Sequence, residues 1–166
     1  MKDKILNKIM FVKTGWSDLY EGGYVLGNHT YLKQIANIGH EIYNFKRTRN
    51  GFCAYIPPSA GSCPQLSGRD AEDWFVVFLA RENGNGQLCV VGYYENARIY
   101  DKLQIRPEYE YEQFDTDNDG EKFQYCIESK NAFRMPLERR RDWVIRKDLC
   151  KHISSTPLVY VKGPKS

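Results

Sequence analysis

The sequence predicts a mainly β or α+β domain: a small, partly open β-barrel carrying one or two helices. Three observations lead there. Short apolar runs recur along the chain, and turn-forming Gly, Pro and Asn residues separate them. Strands and helices do not alternate regularly, which argues against a doubly wound parallel sheet. The chain has 166 residues, which suits one domain over 1–166 with one sizeable core.

The elements follow in order. Lys8 to Lys13 reads as a first buried strand and runs into the turn Thr14-Gly15-Trp16-Ser17-Asp18, where Ser17 and Asp18 can cap a short helix. Gly22-Gly23 ends that element. Asn28 to Ile38 has helical spacing, with Tyr31, Ile35 and Ile38 on one face and Gly39 as C-cap. Phe52 to Ile56 is a short strand stopped by Pro57-Pro58, and a Pro-, Ser- and Gly-rich loop runs to Gly68. Trp74 to Ala80 is nearly all apolar and predicts a central strand. Asn83-Gly84-Asn85-Gly86 predicts a hairpin turn, with Gln87 to Tyr94 as partner strand. Further strands are expected at Ala97–Tyr100, Phe123–Glu128, Ala132–Met135 and Pro157–Lys162, with one helical turn at Pro136–Arg141.

Composition narrows the class. A hydrophobic content of 42% supports a packed interior and is too low for a membrane protein. The apolar run Ile9 to Val12 is too short for a signal peptide, and no stretch is long enough to span a bilayer. The five cysteines are odd in number, widely spread and without a CxxC, which reads as reduced thiols in a cytoplasmic protein with no zinc site. The charges segregate. Seven acidic and no basic residues lie between Glu108 and Glu121, whereas eleven basic and four acidic residues lie from Lys122 onward. A basic face fits a polyanion, and a solvated surface balanced by the acidic run is the alternative.

Signatures of catalysis are sparse. The run Asp115 to Gly120 has the oxygen spacing of a calcium loop, but Cys126 stands where the bidentate Glu belongs, so a polar turn is the better reading. The three histidines do not pair at metal spacing. His40, beside Glu41, offers a general base, with a structural histidine as the default. Neither a nucleophile elbow, a phosphate loop nor a metalloprotease motif occurs. A binding module without cofactor or metal is therefore expected rather than an enzyme.

The cluster around Trp16 carries the binding argument. A Trp in a polar turn either packs beneath the barrel or offers a stacking platform, and Ser17 and Asp18 are placed to read the edge of a planar ligand. Tyr20, Tyr43, Asn44 and Phe45 add aromatic and amide groups. Lys46, Arg47 and Arg49 follow at once and suit phosphates, as do Lys13 and Arg139-Arg140-Arg141. The competing reading places Trp16 and Phe45 in the core and makes caps of Ser17 and Asp18. Loss of ligand binding in Trp16→Ala without loss of the fold would favour the platform, and unfolding would favour the core.

Two stretches carry a family resemblance. Phe11-Val12-Lys13-Thr14-Gly15-Trp16-Ser17-Asp18 resembles the first strand and polar turn of PUA-like domains, the superfamily that includes EVE and YTH domains. Trp74 to Ala80, the Asn/Gly turn and Cys89-Val90-Val91-Gly92-Tyr93-Tyr94 resemble their central hairpin. The resemblance covers about a fifth of the chain. It implies a PUA-like fold and a modified base, for example a methylated one, flipped into an aromatic cage. Trp16, Ser17 and Asp18 would line the cage, with Trp74, Tyr94 or Tyr43 adding an aromatic ring. Bacterial members often sit beside nucleases in modification-dependent restriction and defence systems, which implies a nucleic acid, most simply DNA, as partner and a nuclease domain nearby. The sequence departs from the family in one respect: His40 to Phe45 holds no second cage Trp. Two rival readings stand beside the reader. One is a protein-interaction module, the N-terminal part of a longer nuclease or helicase. The other is a small nucleotide-processing enzyme using His40 with Glu41 or Asp18.

Overall fold

The structure is a computed structural model and describes residues 8–23, 25, 26, 39–56, 63–66, 68–106, 122–146, 148 and the strand at 158–160. The helix expected at 28–38, the Asp115–Gly120 turn, His29, His152 and most of the loop after Pro57 lie outside the described residues.

Strand β1 (Ile9–Lys13) alternates cleanly. Met10 and Val12 are fully buried, while Ile9, Phe11 and Lys13 occupy the other face. It runs parallel to β4 (Trp74–Arg81), with Phe11 opposite Val77 and Lys13 opposite Leu79. β4 is apolar on both faces because both are covered, as a central position requires. The turn at Glu82–Gly84 puts Asn83 at φ 52° and Gly84 at φ 89°, the left-handed pair that Asn-Gly tolerates best, and the chain reverses into β5.

β5 (Leu88–Ile105) is one strand of 18 residues where the sequence predicts two. The expected break at Glu95-Asn96 is absorbed: Asn96 takes φ 49°, Ala97 pairs with Trp74, and the strand continues. Its first half pairs with β4 and with β7 (Asn131–Arg134), its second with β6 (Gln124–Ser129). Irregular register at Trp74/Val76, Phe78/Leu79 and Ile99/Gln104 lets this long strand bend.

The eight strands form one mixed sheet in the order β2-β3-β6-β5-β4-β1-β8, with β7 also on β5. Here β2 is Arg47–Thr48, β3 is Gly51–Ala54 and β8 is Leu158–Tyr160. The domain is mainly β and its sheet does not close into a barrel. 3-10 turns lie at His40–Tyr43, Glu82–Gly84 and Leu137–Trp143. The last is the turn expected after Pro136.

The bend in β5 creates the core. One cluster joins Met10, Val12, Trp74, Val76 and Phe78 from one half of the sheet to Ala54, Ile99, Cys126 and Ile127 from the other. Each large apolar side chain so buried contributes about 1.5–3 kcal/mol. On the opposite face the rings of Phe75, Tyr93 and Phe133 follow one another at centroid separations of 5.2 and 5.4 Å, inclined by 31° and 28°. No helix among the described residues is long and apolar enough to cross a membrane.

Gly92 has no room for a side chain. A Cβ there would sit 2.5 Å from the Phe133 carbonyl oxygen and closer still to the ring of Phe45. Phe45 is itself wedged edge-on against Phe78 and Tyr94 and cannot retreat. Gly92→Ala is therefore expected to lower stability by about 1–3 kcal/mol, the usual cost of overpacking. Urea denaturation will measure it, and an unchanged midpoint refutes the close packing.

Candidate binding site at the Trp16 turn

After Lys13 the chain continues along β4 for one more bond, from the Thr14 N–H to the Leu79 carbonyl. It then bridges to Leu26 through reciprocal bonds at Trp16, both 2.7 Å. Thr14 and Trp16 thereby extend the inward row of Met10 and Val12. Trp16 is only 4% exposed and belongs to the core cluster. Ser17 Oγ accepts the Tyr20 N–H at 3.1 Å, which is the capping role its position suggested and which helps hold Tyr20 at φ 53°. The Tyr20 hydroxyl donates to the Gly15 carbonyl at 2.7 Å, and burial drives its ionisation far above the ordinary range. Asp18 is exposed.

Arg140 departs from its expected role. It is fully buried, with its guanidinium 4.8 Å above the Trp16 ring and 5.6 Å from the Tyr20 ring. Nη1 and Nη2 donate to the Ser17 and Asp18 carbonyls at 2.7 Å each, and Nε donates to Met135 at 3.2 Å. Those donors hold the fold together, so Arg140 leaves the set of phosphate contacts. Arg139 and Arg141 are exposed but already meet carboxylates, Asp142 at 3.1 Å and Glu82 at 2.6 Å. Lys13 is half-buried, and burial together with the nearby Arg81 charge lowers its pKa. Lys46 lies over the Tyr43 ring at 5.6 Å, and Arg47 over Phe52 at 5.0 Å. Arg47 and Arg49 are exposed.

The 39–45 segment packs directly against the turn. The Phe45 N–H donates to the Tyr20 carbonyl at 3.0 Å, and the Gly22 N–H to Ile42 at 2.9 Å. Asn44 is fully buried. Its Oδ1 accepts the Tyr55 N–H at 2.9 Å, and its carbonyl accepts the Tyr94 hydroxyl. Tyr43 is 2% exposed and meets Phe123 edge-on. His40 packs against Tyr55 and Phe123, and its Nδ1 accepts the Gln124 N–H at 3.0 Å, which places the neutral ring's proton on Nε2. Glu41 is buried. Desolvation raises its pKa, while the N–H groups of Glu41 itself and Gly15 hydrogen-bond the carboxylate and oppose the rise.

Trp74 does not join this constellation. It starts β4, whereas the Trp16 turn follows the residue opposite Leu79, so roughly 20 Å of strand separates them. Its Nε1 donates to the Asp70 carbonyl at 2.8 Å, and Arg69 lies over its ring at 5.1 Å. The expected cage residues thus divide into a buried network (Trp16, Ser17, Tyr20, Tyr43, Asn44 and Tyr94), a surface carboxylate at Asp18 and a distant core Trp.

Sequence reasoning missed Arg106, which is 1% exposed and donates to the Cys53 and Tyr43 carbonyls. It also missed Arg134, which donates to the Asp18 carbonyl at 3.1 Å. Single arginines beside Ile105 and Phe133 carry no local signal. The buried side-chain polar atoms without a partner among the described residues are Thr14 Oγ1, Trp16 Nε1 and Asn44 Nδ2. All three lie in the two segments singled out for the site. No group of three or more metal-ligating side chains occurs among the described residues. Comparison with protein-family models, curated proteins and solved structures finds no match.

Two outcomes follow. Trp16→Ala is expected to destabilise the domain by about 3–5 kcal/mol, as for a core Trp, so it tests packing rather than binding. Calorimetry will show it, and a near-wild-type transition would place Trp16 at the surface. For Glu41, a pKa raised in the folded state means that the native protein holds the proton longer than the unfolded chain. Its contribution is therefore most favourable at low pH and is lost as pH rises through the raised value. Thermal melts of Glu41→Gln and wild type from about pH 5 to about pH 8 should shift progressively in favour of the variant. A gap independent of pH refutes the burial of this carboxyl.

Proposed function

We propose that this domain binds nucleic acid and reads a modified base, with Lys46, Arg47 and Arg49 on the backbone and the base admitted between the Thr14–Asp18 turn and the 39–45 segment. The observation that carries the reading is the coincidence of the three unpartnered buried atoms with these two segments. A buried donor or acceptor without a partner costs about 1–3 kcal/mol, and an incoming polar edge removes that cost. Trp16 Nε1 and Asn44 Nδ2 are donors and Thr14 Oγ1 serves either way, so the ligand they suit presents acceptors on a planar edge.

Aromatic side chains at Tyr20, Phe45 and Tyr94 provide apolar contact for a methyl or hydroxymethyl group. The site is closed to solvent, so the base enters by displacing the turn. That step adds to the few kcal/mol of unstacking, which stacking at about 1–3 kcal/mol per base and the new hydrogen bonds must offset. The resemblance of the Trp16 turn and the central hairpin to PUA-like domains supports the same reading. Strand cleavage, in this view, belongs to a partner nuclease in a modification-dependent restriction or defence system.

The test is fluorescence anisotropy with matched oligonucleotides, unmodified or carrying one methylated or hydroxymethylated base, single- or double-stranded, at two salt concentrations. Affinity should depend on the modification. Arg47→Ala with Arg49→Ala should weaken binding to all oligonucleotides alike and flatten the salt dependence by about 1.5–2 in log–log slope. Thr14→Val removes an unpartnered hydroxyl at nearly constant shape. It should raise the melting temperature while reducing discrimination for the modified base. Weak binding that ignores the modification and vanishes with salt would overturn the reader assignment.

A further inference from the structure

Strand β7 lies at an edge. It pairs with β5 and, among the described residues, with no other strand. Phe133 sits directly opposite Tyr93, and the two rings stack at 5.4 Å with 28° between their planes. Phe75 continues the pile beyond Tyr93 at 5.2 Å. Phe133 is 43% exposed, and no strand among the described residues extends the row past it. An isolated surface Phe needs no explanation, but the open end of a three-ring pile is a surface on which a further planar ring stacks.

Cations gather beside that open end. Gly51 packs tightly on the β6–β7 turn: a Cβ there would lie 2.5 Å from the Ser129 carbonyl oxygen and 3.1 Å from the Lys130 Cα. Its φ of 101° also favours glycine. The β2–β3 hairpin, with exposed Arg47 and Arg49, is thereby set against exposed Lys130. Neither Arg47 nor Lys130 forms an ion pair among the described residues, whereas Lys8, Arg98, Arg139, Arg141 and Arg146 do. Lys130 precedes Phe133 by three residues, about 10 Å of strand. The opposing charge is Glu95, exposed and paired in register with Asn131. At the other end of the same strand, Arg134 Nη1 donates to the Asp18 carbonyl at 3.1 Å, which ties β7 to the Trp16 turn.

We propose that the β7 edge is a second contact surface, for single-stranded nucleic acid. One base stacks on the open side of Phe133, and Lys130 with the β2–β3 hairpin takes the neighbouring phosphates. Aromatic stacking beside cations holds single strands without reading their sequence. A duplex keeps its bases stacked on one another and leaves none for Phe133. Glu95 repels phosphate, so the backbone runs on the Lys130 side. Because neighbouring residues of a strand face opposite ways, Phe133 and Arg134 serve the two faces of this edge. A flexible strand passing over it meets the aromatic pile on one face and the turn proposed to admit a base on the other. That link rests on the reader assignment, whereas stacking on Phe133 does not.

The experiment measures fluorescence anisotropy of the full chain with a short unmodified oligonucleotide of mixed sequence, as single strand and as duplex. The single strand should bind more tightly. Phe133→Ala should weaken single-strand binding about tenfold, the loss of one stacked base, with the salt dependence unchanged. Phe133→Leu keeps apolar bulk and should lose as much, whereas Phe133→Trp should bind at least as well as wild type. Lys130→Ala should reduce the log–log salt slope by about 0.7, as for one phosphate of a single strand. Glu95→Gln should tighten binding. Thermal melts check the fold of each variant, and light scattering records its oligomeric state. Lys130 and Glu95 are exposed, so their variants decide the matter even where a Phe133 variant melts early. Full binding by Phe133→Ala or Phe133→Leu, an unchanged salt slope in Lys130→Ala, or a preference for duplex would overturn the proposal. So would a changed oligomeric state in Phe133→Ala at constant affinity, which would give this edge to a second copy of the chain. Indifference to base modification with all these effects intact would count against the Trp16 site alone.

Discussion

A buried guanidinium organises the Trp16 turn of this domain. Arg140 is withdrawn from solvent, with no hydrogen bond to a carboxylate among the described residues, and burial works against its charge. What stabilises it is a cradle of backbone carbonyls from Ser17, Asp18 and Met135 and the faces of Trp16 and Tyr20. Each partner needs the others. The carbonyls of a tight turn would be left short of donors without Arg140, and the cation would be unsolvated without them. The contact also joins distant parts of the chain, because the turn follows β1 whereas Arg140 follows β7. Arg106 repeats the device lower down, clamping the Cys53 and Tyr43 carbonyls beneath the Tyr43 ring.

With the turn clamped, the adjoining polar groups have little freedom. Gly15 is pinned between Tyr20, whose hydroxyl bonds its carbonyl, and Glu41, whose carboxyl receives its N–H. Asn44 is held through Oδ1 and its own carbonyl, leaving Nδ2 with nothing to meet. Such orphaned atoms are rare in folded proteins and cluster where a structure gives up stability for another purpose. Here they fall in two segments that pack together, the Trp16 turn and residues 39–45. The tension between packing and polarity at Thr14, Trp16 and Asn44 is thus the feature on which the proposed binding role rests.

The long strand β5 sets the other constraint. By pairing with β4 and β7 along one half and with β6 along the other, it makes a single sheet provide both walls of the core. The Phe45 ring lies so close against Gly92 that no side chain fits there. Cys63 and Cys126, far apart in the chain, both belong to the core cluster.

Much of the scaffold was legible in the residues themselves. Alternation in Ile9–Lys13, the apolar run from Trp74, the Asn-Gly turn and the strand near Gln124 are local signals, and each maps onto an element within a residue or two. The same reading split β5 at Glu95-Asn96, since a polar pair with a left-handed Asn looks like a turn until neighbouring strands hold it in register. The Trp16 cluster was visible as a group, because aromatic and polar residues crowd one short turn. Its orientation was not. Whether Trp16 faces solvent or core depends on Arg140, more than a hundred residues away. Whether Arg140 is a surface cation like Arg139 and Arg141 depends on which way one 3-10 turn faces. The sequence determined the strands and turns because those follow from period-two patterning and backbone preferences of adjacent residues. The tertiary structure alone decided which cations, thiols and aromatic rings are buried together, because burial and partner choice are set by contacts between residues far apart in the chain.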